Sequence, residues 1–403
     1  MKEEKKCPIL HILTEKWRSN LTEKYGKSFS VYIEIAIEFL KKITDRFYEL
    51  ELNDNHFESE ILSKDKYKYE QRMSEIIFSN RLEREGYSIQ SNESGPDFKA
   101  VKNGNITWFE VITPTPDNEL LEQFEDRSYA LNPTHEGNSM RERNTLLKMT
   151  SAVQAKYKKI HGYINKGIIK ENEAVIIVVN DSLLFPLSSR MIGLSCDIAK
   201  GCSGLPLVVE ALLGVGQSYW QPDESGTNYQ MVRSERPVIH NNNNAEIETN
   251  RFLTEKYSDI SGVFVLTLRE DYGLAETIYT HPRHKQNRGQ LLTNPNTSRV
   301  FKTSDLSAYV IDHDEIKKLL KPSKERPIRN SITKTTTGYY LDMINYLNRL
   351  RELFFEAGIL IEDKETGEVT ISEYGLSVGI DNFELVLDDY GRLFKMVPVL
   401  VDS

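Results

Sequence analysis

Residues 95–112 read GPDFKAVKNGNITWFEVI, and this stretch decides the fold of the chain around it. Two strand-like segments flank Asn103-Gly104, a strong hairpin signal because asparagine and glycine readily adopt the left-handed conformation that tight turns need. The first segment begins at Asp97 and the second contains Glu110. Pairing across this turn is predicted to bring the two carboxylates together on neighbouring strands.

The rest of the chain predicts an α/β (α+β) fold in which helices flank a central sheet. Apolar residues recur at helical spacing on either side of the hairpin, and continuous apolar runs are typical of strands buried on both faces. Helices are predicted over residues 31–50, 68–85 and 141–165, and buried strands over 174–180 and 262–268.

The composition favours a folded chain in a reducing compartment. Of 403 residues, 39% are hydrophobic and the net charge is −9. The negative charge argues against a simple DNA-coating protein, and less against a carboxylate metal site beside a local basic groove. Three cysteines, Cys7, Cys196 and Cys202, are too few and too irregular for a disulfide framework or a zinc knuckle. With no apolar leader and no run of about 18 apolar residues, we expect a cytoplasmic protein without a membrane partner.

Glu110 is the residue that most requires an explanation in this sequence. It lies between Trp108-Phe109 and Val111, and a carboxylate in such an apolar strand is costly to bury unless it is paired. A divalent metal shared with Asp97 would provide the partner. Hard oxygen ligands on adjacent strands suit Mg²⁺ or Mn²⁺.

Together, Pro96-Asp97 and the Glu110 triplet resemble the PD-(D/E)xK nuclease superfamily, which includes most restriction endonucleases. Glu75 matches the acidic residue that many members carry on the preceding helix. The resemblance covers about residues 68–182. It implies a restriction-endonuclease-like central mixed sheet flanked by helices, and a Mg²⁺-dependent endonuclease that cleaves DNA in restriction or anti-phage defence. A homodimer is a further implication for a restriction-type enzyme.

The lysine of the family motif would fall at Ile112 in this chain. Some family members supply this lysine from the following helix, where Lys156 is the only charged member, from Thr145 onward, of the apolar stripe around Met149. Lys156 is therefore predicted to replace the motif lysine. Lys148, on the flank of the stripe, is the second choice.

The resemblance implies a role for each residue in phosphodiester hydrolysis. Asp97 and Glu110 are the predicted metal ligands, Lys156 orients or activates the attacking water, and Glu75 positions a metal-bound water. Gln154 is predicted to contact the substrate backbone. The alternative for Glu75 is that it lies on a solvent-exposed face of its helix. The alternative for Lys156 is that its side chain extends from the apolar stripe to water.

Two other functions stay open at this point. A nucleic-acid-binding module on a degenerate, inactive nuclease fold would explain the missing lysine at position 112. A metal-free hydrolase with paired carboxylates, acting for instance on a glycan, would not respond to chelators.

The predicted organisation has four regions. A helical N-terminal region spans 1–67, the nuclease-like core spans 68–220, and a loop-rich extension with further core strands and a basic stretch spans 221–334. The last region, 335–403, is predicted to be an α+β module for recognition or dimerisation, with a helix from Leu341 and two strands on either side of residues 363–367. His281 and His284 have no second metal-binding pair, so zinc is not predicted.

Overall fold

The computed structural model describes residues 6–27, 30–90, 94–118, 120, 135–184, 203–222, 229–271, 289–321, 323–324, 360–362, 369–371, 383–387 and 393–398. Two compact units divide the chain, one formed by residues 1–15 and 36–323 and the other by 16–35 and 324–403. The helices are α1 (Leu10–Tyr25), α2 (Ser30–Glu49), α3 (Phe57–Ile61), α4 (Lys66–Arg84), α5 (His135–Asn165), α6 (Leu207–Leu213) and α7 (His313–Leu320).

The strands of the larger unit include the predicted hairpin. They are β1 (Ser88–Gln90), β2 (Phe98–Lys102), β3 (Asn105–Ile112), β4 (Ala174–Asn180), β5 (Val215–Pro222), β6 (Tyr229–Glu235), β7 (Val238–His240), β8 (Glu246–Glu248), β9 (Gly262–Leu266), β10 (Gln290–Thr293) and β11 (Tyr309–Ile311). The strand β12 (Ser323–Lys324) follows, and the smaller unit contains β13 (Leu360–Glu362), β14 (Val369–Ile371), β15 (Phe383–Leu387) and β16 (Leu393–Pro398).

The central sheet of the larger unit has seven strands in the order β1-β2-β3-β4-β9-β10-β11. The β3–β4, β4–β9 and β10–β11 pairs are parallel, and the other pairs are antiparallel. Every residue of the central strand β4 is buried, as expected for a strand covered on both faces. The predicted α/β fold with a central mixed sheet is confirmed.

The hairpin of β2 and β3 has the predicted turn. Asn103 and Gly104 have φ angles of 51° and 79°, the left-handed values of a two-residue hairpin loop. Phe98 lies opposite Phe109 in the register. By the same antiparallel register, Asp97, which precedes Phe98, lies opposite Glu110, which follows Phe109.

One face of the sheet is covered by α4. Its first turn is capped by Asp65, whose side chain accepts a hydrogen bond from the backbone N–H of Tyr67 at 2.9 Å. Further along the helix, Phe78 packs against Phe109 at a ring-centroid distance of 5.4 Å and against Phe264 at 6.4 Å. These aromatic contacts fix the helix across three neighbouring strands.

The other face is covered by α5. The buried core there joins apolar residues of this helix to alternate residues of the strands, namely Leu146, Met149, Val153 and Ile160 on the helix and Trp108, Val175, Ile177, Val179, Val263 and Val265 on the sheet. Because side chains alternate along a strand, Glu110 shares the face of Trp108. The sheet therefore presents Glu110 to α5.

The structure also bears on the predicted element boundaries. Each helix and buried strand predicted within residues 31–268 is present, with ends that differ by a few residues, except that α5 begins earlier, at His135. Strands β9 to β11 lie within residues 221–334, where further core strands were predicted, and they belong to the central sheet. The division into four regions stays a prediction.

The smaller unit contains two hairpins among its described residues. Leu360–Glu362 pairs antiparallel with Val369–Ile371, as the sequence predicted for the strands on either side of residues 363–367. Phe383–Leu387 pairs antiparallel with Leu393–Pro398. The predicted helix that begins at Leu341 lies outside the described residues. Among the helices that the structure describes, none is long and apolar enough to cross a membrane.

Candidate active site

The two carboxylates of the hairpin are held together by the backbone of the opposite strand. The N–H of Asp97 donates to Glu110 Oε2 at 3.2 Å, and the N–H of Val111 donates to Asp97 Oδ2 at 2.7 Å. Glu110 is fully buried, whereas the Asp97 side chain is 21% exposed. The pair thus combines one buried and one accessible carboxylate.

Two lysines of α5 neutralise Glu110. The Lys156 Nζ lies 2.7 Å from Glu110 Oε1 and 3.8 Å from Asp97 Oδ2. Lys159 Nζ lies 2.8 Å from the same Glu110 oxygen. Lys156 is the predicted replacement for the motif lysine. Sequence reasoning missed Lys159, although its spacing of three residues from Lys156 on a helix places both on one side.

The predicted Glu75 is held by two side chains of its own helix, one of which also contacts the end of β3. Gln71 Nε2 donates to Glu75 Oε1 at 2.9 Å, and Arg72 Nη1 donates to Glu75 Oε2 at 2.8 Å. Gln71 also donates to the Val111 carbonyl at 3.3 Å and accepts from the Thr113 N–H at 2.8 Å. Glu75 is therefore buried and paired rather than solvated. Neither Gln71 nor Arg72 was identified from the sequence.

Burial and charge set the protonation of the cluster. Burial, together with the nearby carboxylates of Glu110 and Glu75, raises the pKa of Asp97 to about 7, against the opposing effect of Lys156 and Lys159. Burial likewise raises the pKa of Glu75, although Arg72 opposes it. Burial lowers the pKa of Lys156, but the charges of Asp97 and Glu110 outweigh it and raise that pKa overall. Lys156 therefore carries its charge at neutral pH.

The donor set fits a magnesium ion with few protein ligands. In the part of the chain that the structure describes, no group of three or more His, Cys, Asp or Glu side chains could hold a metal. Mg²⁺ is usually bound by one or two carboxylates, with waters and substrate phosphates as its other ligands. Asp97 makes its described contacts through Oδ2, which leaves Oδ1 without a protein partner among the described residues. Asp97 and Glu110 would hold the ion.

The remaining predicted residues lie in other environments. Lys148 Nζ pairs with Asp117 Oδ2 at 3.0 Å, while Ile112 packs against the core beneath α5. Gln154 accepts a hydrogen bond from the hydroxyl of the buried Tyr257. The amide oxygen of Gln154 is therefore engaged by Tyr257 and not by a substrate.

The predicted basic stretch is only partly described. Arg299, one of its members, is buried and donates to the backbone carbonyls of Lys170 and Glu173. It therefore stabilises the fold instead of presenting charge to a ligand. His281, His284, Cys196 and Cys202 lie outside the described residues.

Comparisons of the chain with protein-family models, with curated proteins and with solved structures find no match. The site is therefore interpreted from its own geometry.

Proposed function

We propose that this chain is a metal-dependent nuclease that hydrolyses phosphodiester bonds, with DNA as the favoured substrate. The observation that supports it most is the convergence of Asp97, Glu110 and Lys156 from β2, β3 and α5. Lys156 Nζ lies 2.7 Å from Glu110 Oε1 and 3.8 Å from Asp97 Oδ2. Two carboxylates with a nearly buried ammonium group match the composition of a PD-(D/E)xK site, with the lysine supplied by a helix.

Each residue then has a defined task. Asp97 and Glu110 would hold Mg²⁺ or Mn²⁺, which when bound would lower the pKa of a water and stabilise charge on the phosphoryl oxygens. Lys156 holds the attacking water by hydrogen bonding. Glu75, fixed by Gln71 and Arg72, is a positioning residue whose charge acts on Asp97.

The restriction-endonuclease-like assignment and the role in restriction or anti-phage defence rest on the resemblance of the motif. A homodimer is proposed on the same ground, because restriction-type cleavage of both strands of a duplex usually uses two active sites.

An inactive nucleic-acid-binding module is the second candidate. The observation that favours it is the occupation of Glu110 Oε1 by two ammonium groups, at 2.7 and 2.8 Å. Together, the two lysines already compensate the charge that a metal would compensate. Such a module would bind nucleic acid without cleaving it.

A cleavage assay distinguishes these candidates. The full chain is incubated with plasmid DNA and with RNA in Mg²⁺, Mn²⁺ or EDTA, alongside Asp97→Asn, Glu110→Gln and, as a matched control, Glu171→Gln at an exposed position. We expect metal-dependent cleavage that falls at least about a hundredfold in the first two variants and persists in the control. Cleavage that survives in both site variants would disprove the assignment. Binding without any cleavage would favour the inactive module.

A further inference from the structure

The second lysine at Glu110 differs from the first in its access to solvent. The Lys159 side chain is 46% exposed, whereas that of Lys156 is 14% exposed. The Lys159 ammonium group lies 5.8 Å from the centre of the ring of Tyr163, which is on the same helix. Lys159 thus spans the distance from a fully buried carboxylate to the surface of the protein.

This difference decides which lysine is free to exchange partners. Removing Lys156 from Glu110 would leave a nearly buried ammonium group without its closest counterion, which is costly. The half-exposed ammonium group of Lys159 can instead be hydrated when it leaves Glu110, and Lys156 still pairs with that carboxylate. Lys159 can therefore leave Glu110 at little cost, provided that another anion is close.

The charge balance of the site indicates what that anion is. Asp97 and Glu110 carry up to two negative charges, and Lys156 and Lys159 carry two positive charges, so the cluster alone has little net charge. A divalent cation held by the carboxylates would add two positive charges. The ammonium group of Lys159, which can leave Glu110, then gains the strongest electrostatic interaction by contacting an anionic group of the substrate.

We propose that Lys159 is a substrate-binding residue that exchanges Glu110 for a phosphate oxygen of the nucleic-acid backbone. This inference rests on the proposed function, since it assigns the phosphodiester substrate to the same site. The exchange also couples binding of the phosphate to binding of the metal. A phosphate that attracts Lys159 leaves a lone pair of Glu110 Oε1 available to the metal. The substrate class is thus a phosphodiester chain, bound through its backbone.

The test measures binding rather than cleavage. Affinity for a labelled DNA duplex and for a single strand is measured in EDTA and in Ca²⁺ over a range of salt concentrations, for the wild type, Lys159→Gln and Lys159→Arg. Lys158→Gln is the matched control, because it removes the same charge from an exposed neighbouring position of α5. We expect Lys159→Gln to weaken binding about three- to tenfold and to reduce the slope of log K against log salt by about 1. Lys159→Arg and Lys158→Gln should retain the wild-type slope.

The proposal is overturned if Lys159→Gln keeps the wild-type affinity and slope, or if the wild type binds neither DNA. Its failure is distinct from failure of the nuclease assignment. Cleavage that depends on Asp97, with unchanged binding in Lys159→Gln, would keep the enzyme and remove the role of Lys159. Binding that depends on Lys159, without any cleavage, would keep the phosphate contact and remove the enzyme.

Discussion

Lys156 Nζ lies 2.7 Å from Glu110 Oε1, although 46 residues separate the two along the chain. Glu110 is fully buried, and a buried carboxylate without a partner is strongly destabilising. Ile112, at the position where the PD-(D/E)xK motif that this chain resembles has its lysine, packs against the apolar core instead. The helix therefore supplies the positive charge that the strand lacks.

The first prediction distinguishes the two candidate lysines. Lys156→Gln should lower metal-dependent cleavage at least about a hundredfold, because a side chain positioned to orient or activate the attacking water commonly contributes that much. Lys148→Gln should stay within about twofold, since Lys148 pairs with Asp117 instead. Initial rates on plasmid DNA measure both. Lys156→Arg retains the charge and serves to separate a loss of chemistry from a loss of fold.

A double-mutant cycle tests whether Lys156 and Glu110 stabilise the protein as a pair. Lys156→Met should lower the free energy of unfolding by about 3 kcal/mol, because it leaves the buried Glu110 with only the half-exposed Lys159. Lys156→Met combined with Glu110→Gln should be less destabilised than the sum of the single variants. Urea unfolding of the four proteins measures this. If the changes in unfolding free energy of the two single variants add up to that of the double variant, Lys156 and Glu110 do not stabilise the protein as a pair.

Gln71 should behave as a positioning residue. Its side chain joins Glu75 to the Val111 carbonyl and the Thr113 N–H, so Gln71→Ala leaves several polar groups without partners. We expect a loss of about 1–3 kcal/mol in unfolding free energy and a lower cleavage rate at saturating substrate. Lys68→Ala, on an exposed face of the same helix, is the control. A rate equal to that of the wild type would remove Gln71 from the positioning network.

Glu70 should make stability depend on pH. Burial, then the charges of Glu270 and Asp271, raise its pKa from 4.5 to about 7, while Lys66 and Arg269 oppose this. Because the folded pKa lies above the unfolded one, the stabilising contribution is complete below about pH 4.5 and is lost as pH rises through 7. Glu70→Gln should therefore match the wild type in unfolding free energy near pH 4 and exceed it by up to about 3 kcal/mol at pH 8.

Unfolding free energies at both pH values measure this difference. Comparing the two proteins isolates Glu70 from the other buried carboxyls, which are common to both. A Glu70→Gln variant that is less stable than the wild type at pH 8 would contradict the prediction.

Local patterns in the sequence determined the core of the site. Asn103-Gly104 defines the turn, and a two-residue turn sets the register that places Asp97 opposite Glu110. Helical periodicity determined that Lys156 faces the sheet, because its apolar neighbours must be buried on that side. These relationships depend on residues close together in the chain, and the sequence was sufficient to predict them.

Only the tertiary structure decided which distant groups complete the cluster. That Lys159 reaches Glu110, and that Gln71 joins Glu75 to the end of β3, depends on how α5 and α4 pack on the sheet. The same is true of Gln154, which contacts Tyr257 from a segment 103 residues away. Periodicity defines the face of a helix but not its position along a sheet, which is set by the packing of side chains from remote parts of the chain.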